Sequence, residues 1–351
     1  MRDFVLVLAV ITIICLNARA GVQEDFLHCV RTGDYSRVAS LLKKYPKLAK
    51  AKTATGDSAL HVAAAHGRIK VAELLLRNGA EINAKAKHDY TPLDYAVLKK
   101  QHAMMRWLLE RGADVNNLTS ISRSTPLFTA AALNDPIAAQ ILIAKGASVN
   151  HQSAMGTALH EAARWRSFSV AKVLLEAGAS VGARAPETGK TPLHCAAHSQ
   201  ALDVARLLIE HGAKIGETDS RGRTPLHDAC ELGPTPQLIR WLLDKGANPN
   251  ARDKFGNTPL HVLAAESYRA LLELEAIARK SSPPPRGKVP FQRIKHERIR
   301  DAVDCVRLLL THGADPSARN LAGQTPMDVA REVGFTEMVN ALQEHKKVQG
   351  N

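Results

Sequence analysis

One four-residue phrase governs what this chain can fold into. It appears as Ser58-Ala59-Leu60-His61, Thr91-Pro92-Leu93-Asp94, Thr125-Pro126-Leu127-Phe128 and Thr157-Ala158-Leu159-His160. It returns as Thr191-Pro192-Leu193-His194, Thr224-Pro225-Leu226-His227, Thr258-Pro259-Leu260-His261 and Thr325-Pro326-Met327-Asp328. The spacing is 32 to 34 residues except for the last interval of 67, which is one period plus an insertion. A fixed period of this length means stacked supersecondary units, each burying its apolar face against the next.

The residues inside one period predict two helices and a turn. Thr or Ser is a good N-cap, and Pro at the next position pre-sets φ without losing a hydrogen bond. An Ala-rich turn follows, as at Ala63-Ala64, Ala162-Ala163 and Ala196-Ala197. A second apolar run, such as Val71-Ala72-Glu73-Leu74-Leu75-Leu76, keeps helical spacing. It stops at a Gly-Ala pair (Gly79, Gly112, Gly146, Gly178, Gly212, Gly246 and Gly313), where Gly supplies a left-handed helix end. A polar stretch then reads as a turn.

The phrase and the Leu-Leu-x-x-Gly-Ala run resemble the ankyrin repeat over about residues 24–345. The resemblance implies an all-α solenoid of about nine helix–turn–helix units with β-hairpin-like finger loops. It divides the chain into an N-terminal cap (24–57), repeats (58–324) and a C-terminal cap (325–346), within a repeat domain of 24–346. The family's usual glycine at the end of the first helix is present as Gly67, Gly233 and Gly334. Lys100, Asn134, Arg166 and Gln200 replace it elsewhere. Those turns are either shaped differently or strained, since a left-handed non-glycine costs roughly 1–2 kcal/mol.

The extra residues fall at 266–300, within the seventh full repeat. Leu271, Leu272, Leu274 and Ile277 keep helical spacing, Ser281 to Pro285 break it, and Arg293, Lys295, Arg298 and Arg300 follow against Glu297. Two extended helices, or a helix and a mobile basic loop, fit this pattern. The segment is either a contact for an anionic partner or membrane surface, or a solvated excursion.

The first 20 residues differ in kind. Phe4 to Leu16 is an apolar run, and Ala18-Arg19-Ala20 precedes Gly21. This is the pattern of a secretory signal peptide, too short for a comfortable span, although Asp3 cancels Arg2. Export as a secreted or periplasmic chain is expected. An uncleaved N-terminal anchor and a cytosolic chain are the alternatives. Asn117-Leu118-Thr119 is a glycosylation sequon that has meaning only for a chain exported by a eukaryote.

Nothing in the sequence points to catalysis: there is no G-x-S-x-G, P-loop, H-E-x-x-H or dinucleotide-binding turn. His194, Cys195 and His198 have metal-like spacing, but zinc needs three or four convergent ligands, and His194 is the phrase histidine. In the family that histidine serves an inter-repeat hydrogen-bond network. No cofactor and no metal are expected. Cys29, Cys195, Cys230 and Cys305 lack disulfide spacing, and Cys230 and Cys305 read as small buried hydrophobes.

The resemblance also implies where a partner would bind. The two residues after the Ala-Ala turn face the concave surface: Leu98 and Lys99, Leu133, Arg164 and Trp165, His198, and Leu232 among them. Trp107 and Trp241 occupy the core register of Leu74, Ile141, Val173 and Leu207 instead. Finger-loop tips bring Tyr90, Arg123, Lys190, Arg221, Arg223 and Phe255. Trp, Arg and apolar neighbours are typical of interface hot spots. The net charge of +13 favours an acidic protein partner by steering. Isolated aromatics argue against nucleic acid. The expectation is a monomeric, non-enzymatic protein-binding scaffold. The alternative is an electrostatic binder of anionic polymer or membrane, acting through the insertion, the loop tips or the N-terminal segment.

Overall fold

The computed structural model describes residues 21–231, 233–266, 269, 272 and 291–349. The chain divides into two compact units, Met1–Ser153 and Ala154–Asn351. Both are built from successive antiparallel helix pairs, and the described residues contain no strand, only an isolated antiparallel bridge between Lys52 and Ser58. In the first unit residues 21–32 pair with Tyr35–Lys44, followed by Ala59–Ala65 with Ile69–Arg77, Pro92–Leu98 with His102–Leu109, and Pro126–Ala132 with Pro136–Ala144. The second unit continues with Ala158–Arg164 and Phe168–Glu176, Pro192–His198 and Leu202–Glu210, and Pro225–Ala229 and Pro236–Asp244. Residues 259–266 and Phe291–Thr311, then Pro326–Val333 and Thr336–Gln349, complete it. The first 20 residues, where a signal peptide is expected, Leu232 and most of the first arm of the insertion lie outside the described residues.

Small side chains let the first helices approach their neighbours closely. Ala63, Ala96, Ala130, Ala162, Ala196 and Ala229 are wholly buried, as are Leu75, Leu108, Leu142, Leu174, Leu208 and Leu242 on the second helices. Cys29, Cys195, Cys230 and Cys305 are free thiols buried in the same layer. Trp107 is buried, but Trp241 is only half-buried. Its slot lies at the margin of the core, where the smaller Leu74 and Val173 are also half-covered.

Each phrase histidine joins its own repeat to the next loop. The His194 Nδ1 accepts from the Thr191 backbone N–H at 3.2 Å and lies 2.8 Å from its hydroxyl. On the other side, Nε2 donates to the Arg223 carbonyl at 2.9 Å. The same bridge runs from His61 to Tyr90, His160 to Lys190, His227 to Asn257 and His261 to Gln324, at 3.0 to 3.1 Å. The last spans 63 residues of sequence, so the insertion is bypassed without loss of register. Asn250 repeats the point with bonds to the Gly313 carbonyl and the Asp315 N–H. Where the phrase ends in Asp94, the neighbouring repeat answers with Asn117, whose Nδ2 donates to Asp94 at 2.8 Å and to the Asp89 carbonyl at 3.0 Å. Where it ends in Phe128, the Thr125 hydroxyl is buried with no hydrogen-bond partner among the described residues.

The turns without glycine resolve to strain rather than to a different shape. Lys100, Asn134, Arg166 and Gln200 have φ of 53°, 47°, 58° and 57°, in the left-handed region used by Gly67 at 65° and Gly233 at 62°. Gln200 offsets the strain through its side chain, donating to the Ala229 carbonyl and accepting from the Thr235 backbone and hydroxyl. The basic stretch of the insertion is likewise ordered, since Arg293 to Arg300 lie on the helix Phe291–Thr311. A mobile basic loop is therefore replaced by an extension of the repeat's second helix.

Two predictions follow from this geometry. Arg166→Gly should raise stability by about 0.5–1 kcal/mol, the relief of left-handed strain less the entropy of glycine. Gln200→Gly should lower stability, because its bonds to two neighbouring segments are lost. Urea midpoints of the two variants moving in the same direction would refute the account. The second prediction concerns pH. Burial lowers the pKa of His61, His194, His227 and His261 and takes His160 down to about 4, although the hydrogen bond each ring makes to a loop carbonyl works the other way. These groups bind protons more readily when unfolded, so their stabilisation is complete above about pH 6.5 and is lost as pH falls towards 4. Thermal melts across pH 7.5 to 5 should show falling midpoints, with a shallower fall in His160→Gln. A flat profile would contradict this assignment.

Candidate interaction surface

The short first helices end at the slot residues, so those side chains project where the next turn begins. In the first unit Leu98 is 44% exposed beside exposed Lys99, while Leu133 is half-buried. Tyr90 is half-buried, with its ring edge-on to Tyr95 and its carbonyl taken by His61. Arg123 is an exposed tip at φ 51°, and its carbonyl accepts from His151 at 2.9 Å. Ile121, two residues earlier, is 72% exposed. The repeat register places Ile121 on a loop tip, but side-chain identity at the tips varies from repeat to repeat, so nothing in the sequence singled it out.

In the second unit Trp165 is 61% exposed. Its orientation is nonetheless fixed, since the indole N–H donates to Glu161 Oε2 at 3.0 Å and Glu161 also pairs with Arg164. Arg164 in turn reaches the sulfur of Cys195 at 4.0 Å. Glu161 lies one turn before Trp165 on the same helix, so the aromatic face is offered to solvent with its polar edge already satisfied.

Beyond Cys195 the first helices carry a charge network that the sequence reading missed. Asp228 is fully buried, 3.1 Å from Lys190 Nζ and 3.0 Å from Arg223. Neither contact has the angles of a hydrogen bond, so charge rather than directed bonding holds the carboxylate. Arg223 also pairs with Glu231 at 3.1 Å, and Glu231 accepts from His198 at 3.0 Å. Burial pushes the Glu231 carboxyl up, but the His198 and Arg223 hydrogen bonds outweigh it and hold it at about 2. Arg223 is thus buried at 8% exposure and Lys190 half-buried, which corrects their expected place as free loop tips. The reason is Asp228, in a phrase position held by Val62, Thr129 and Val262 elsewhere. A buried carboxylate must draw cations to it. The ligand atoms of His198, Asp228 and Glu231 lie within 4.8 Å of one another, a spacing compatible with metal ligands. A metal ion there would have to displace Lys190 and Arg223, so the cluster is best described as a charge-compensated network.

Arg221 and Phe255 stand exposed on successive tips, Phe255 at 63%. On the insertion helix the cations are interleaved with acids: Arg293 pairs with Glu297 at 2.9 Å and Arg300 with Asp301 at 3.5 Å. Lys295 is half-buried, and Arg298 lies against Gly233, where any side chain would meet its guanidinium. Glu297 a turn after Arg293 and Asp301 directly after Arg300 thus weaken the cationic character of this stretch.

Stacked helix pairs joined by tight loops, with the repeat-to-repeat imidazole bridges, define a repeat scaffold protein. The family model for ankyrin repeats in three copies matches residues 26–119, 116–185 and 183–253, and that for a single ankyrin repeat matches 295–321. The chain belongs to the ankyrin-repeat family. It is 34% identical over 181 residues to the E3 ubiquitin-protein ligase XB3 of Oryza sativa subsp. japonica, covering 47% of this chain and 40% of that protein. It is 43% identical over 89 residues to a putative ankyrin repeat protein of Rickettsia felis, covering 24% and 38%. Among solved structures, the human ASB11 ankyrin repeat domain matches with a TM-score of 0.54 at 29% identity, covering 64% of this chain and 98% of that domain. The chain spans less than half the length of these curated relatives.

Proposed function

We propose that this chain is a non-enzymatic scaffold that binds a protein partner through its first-helix slots and finger loops. Ankyrin repeats are in general protein–protein interaction scaffolds. The observation that carries the reading is Trp165, a large aromatic left 61% exposed with its indole N–H fixed by Glu161. A pre-oriented aromatic loses little entropy on binding and supplies a large contact area. Export through cleavage after Ala20 is part of the proposal, on the strength of the Ala18-Arg19-Ala20 pattern. Among the described residues no helix is long and apolar enough to cross a membrane. The net charge of +13 supports a second reading, attraction to an anionic polymer or membrane through Arg293, Lys295, Arg298 and Arg300. Steep loss of binding with salt would favour that reading over a hot-spot interface.

Trp165→Ala should weaken binding of a captured partner by about 2 kcal/mol or more, roughly 30-fold, while leaving cooperative unfolding nearly unchanged. If it destabilises the chain as much as Trp107→Ala does, the binding role for Trp165 is lost. Sequencing the first residues of the exported protein should give Gly21. The folded chain should carry no glycan at Asn117, which is 1% exposed and bonded to Asp94, Asp89 and Lys85. An intact Met1 would remove export from the proposal, and a glycan at Asn117 would contradict the packing of that loop.

A further inference from the structure

We propose that the groove beneath the last finger loops of the second unit receives an extended acidic peptide segment of a partner protein, anchored by one apolar side chain. This inference rests on the scaffold reading and narrows it to a place and a chemistry. The groove has a volume of about 410 Å³; Phe255, Val262, Ala265 and Val329 give it an apolar wall, and the rest of the lining is polar, with Arg221 among its cations and Asp253 and Glu266 as its carboxylates. That space suits one or two side chains and a stretch of extended backbone.

The loops above it are rigid. Asp253 Oδ1 accepts from the N–H groups of Phe255 and Asn257, and Asp219 and Asn320 do the same within their own loops. Successive tips are joined by backbone bonds, Lys254 N–H to the Arg221 carbonyl at 2.8 Å and Leu321 N–H to the Phe255 carbonyl at 2.9 Å. Gly256 sits at φ 75°, where a Cβ would fall 3.0 Å from the Leu321 nitrogen, so the loops stack as closely as backbone allows. On this frame Phe255 is 63% and Leu321 78% exposed. These apolar tips are held in place, and no folding gain accounts for their exposure.

Charge decides the chemistry of the occupant. Arg223, lining the same groove, is neutralised by Asp228 and Glu231. Arg221 and Lys254 have exposed side chains with no ion pair or side-chain hydrogen bond among the described residues. The two carboxylates of the lining are engaged, Asp253 by backbone N–H groups of its own loop and Glu266 by Arg269 at 3.6 Å. Arg221 in the lining and Lys254 on the adjoining tip are the free cations, and with the apolar wall they match an apolar residue flanked by Asp or Glu. A lone Phe255 offers no stacking ladder for nucleic-acid bases.

The test uses the full chain on an array of decapeptides at physiological salt. Each peptide has a single Leu or Phe, or neither, in an acidic, neutral or basic background. Acidic peptides with an apolar residue should bind at least tenfold more tightly than acidic ones without it or neutral ones with it. Phe255→Ser and Arg221→Glu, both at exposed sites, should each remove that preference with the unfolding midpoint unchanged. No preference among the peptide classes, or one that survives both substitutions, overturns the inference. If acidic-apolar peptides bind but are lost only in Trp165→Ala, the scaffold reading stands and this groove is the wrong site. If no peptide binds and no partner is captured by the chain, the scaffold reading falls with it.

Discussion

The architecture depends on a buried neutral imidazole whose two nitrogens do different work. One accepts from the N-cap of its own helix and so fixes where that helix begins. The other donates to a carbonyl of the following loop and so fixes how far away the next repeat lies. A ring performs both tasks only in one tautomer and without a proton to spare, which is why burial and low basicity accompany the role. The departures follow the same logic. Asp94 cannot donate, so the donor comes from Asn117 on the facing loop. Phe128 can neither donate nor accept, and the Thr125 hydroxyl is left without a partner.

Charge is distributed by the same packing. The chain has a net charge of +13, yet several of its cations are used up inside the molecule. Lys190 and Arg223 are committed to Asp228 and Glu231, and Arg164 to Glu161. On the long helix 291–311 the cations have acids a turn away. The cations free to meet a partner are therefore fewer than the composition implies, and Arg221 and Lys254 on adjacent tips are among them.

Rigidity unites these features. Four inter-helix turns hold non-glycine residues in the left-handed region, and the surrounding packing over-determines them. Loops are closed by side-chain bonds from Asp and Asn to their own backbone and joined tip to tip. A surface built this way loses little freedom on binding, which suits a scaffold whose affinity comes from a few fixed anchors.

The repeats, their helices and the bypass of the insertion were legible in the sequence, because caps, apolar spacing and terminal glycines act within a few residues of each other. Trp165 and Phe255 were expected on the surface through the family resemblance, which assigns the slot and the loop tips their places, and both are exposed. Arg223 and Lys190 were not: Asp228 belongs to another repeat than Lys190, and although it follows Arg223 closely in sequence, only packing shows that the carboxylate is buried and draws both cations in. The groove at Phe255 was equally hidden, since it is made where loops and helices from three repeats converge. Local chemistry set the repeats, and the tertiary structure decided which charges are used up inside the molecule and which are left for a partner. The reason is that Coulomb and hydrogen-bond pairing act across space over a few ångströms, whatever the separation along the chain.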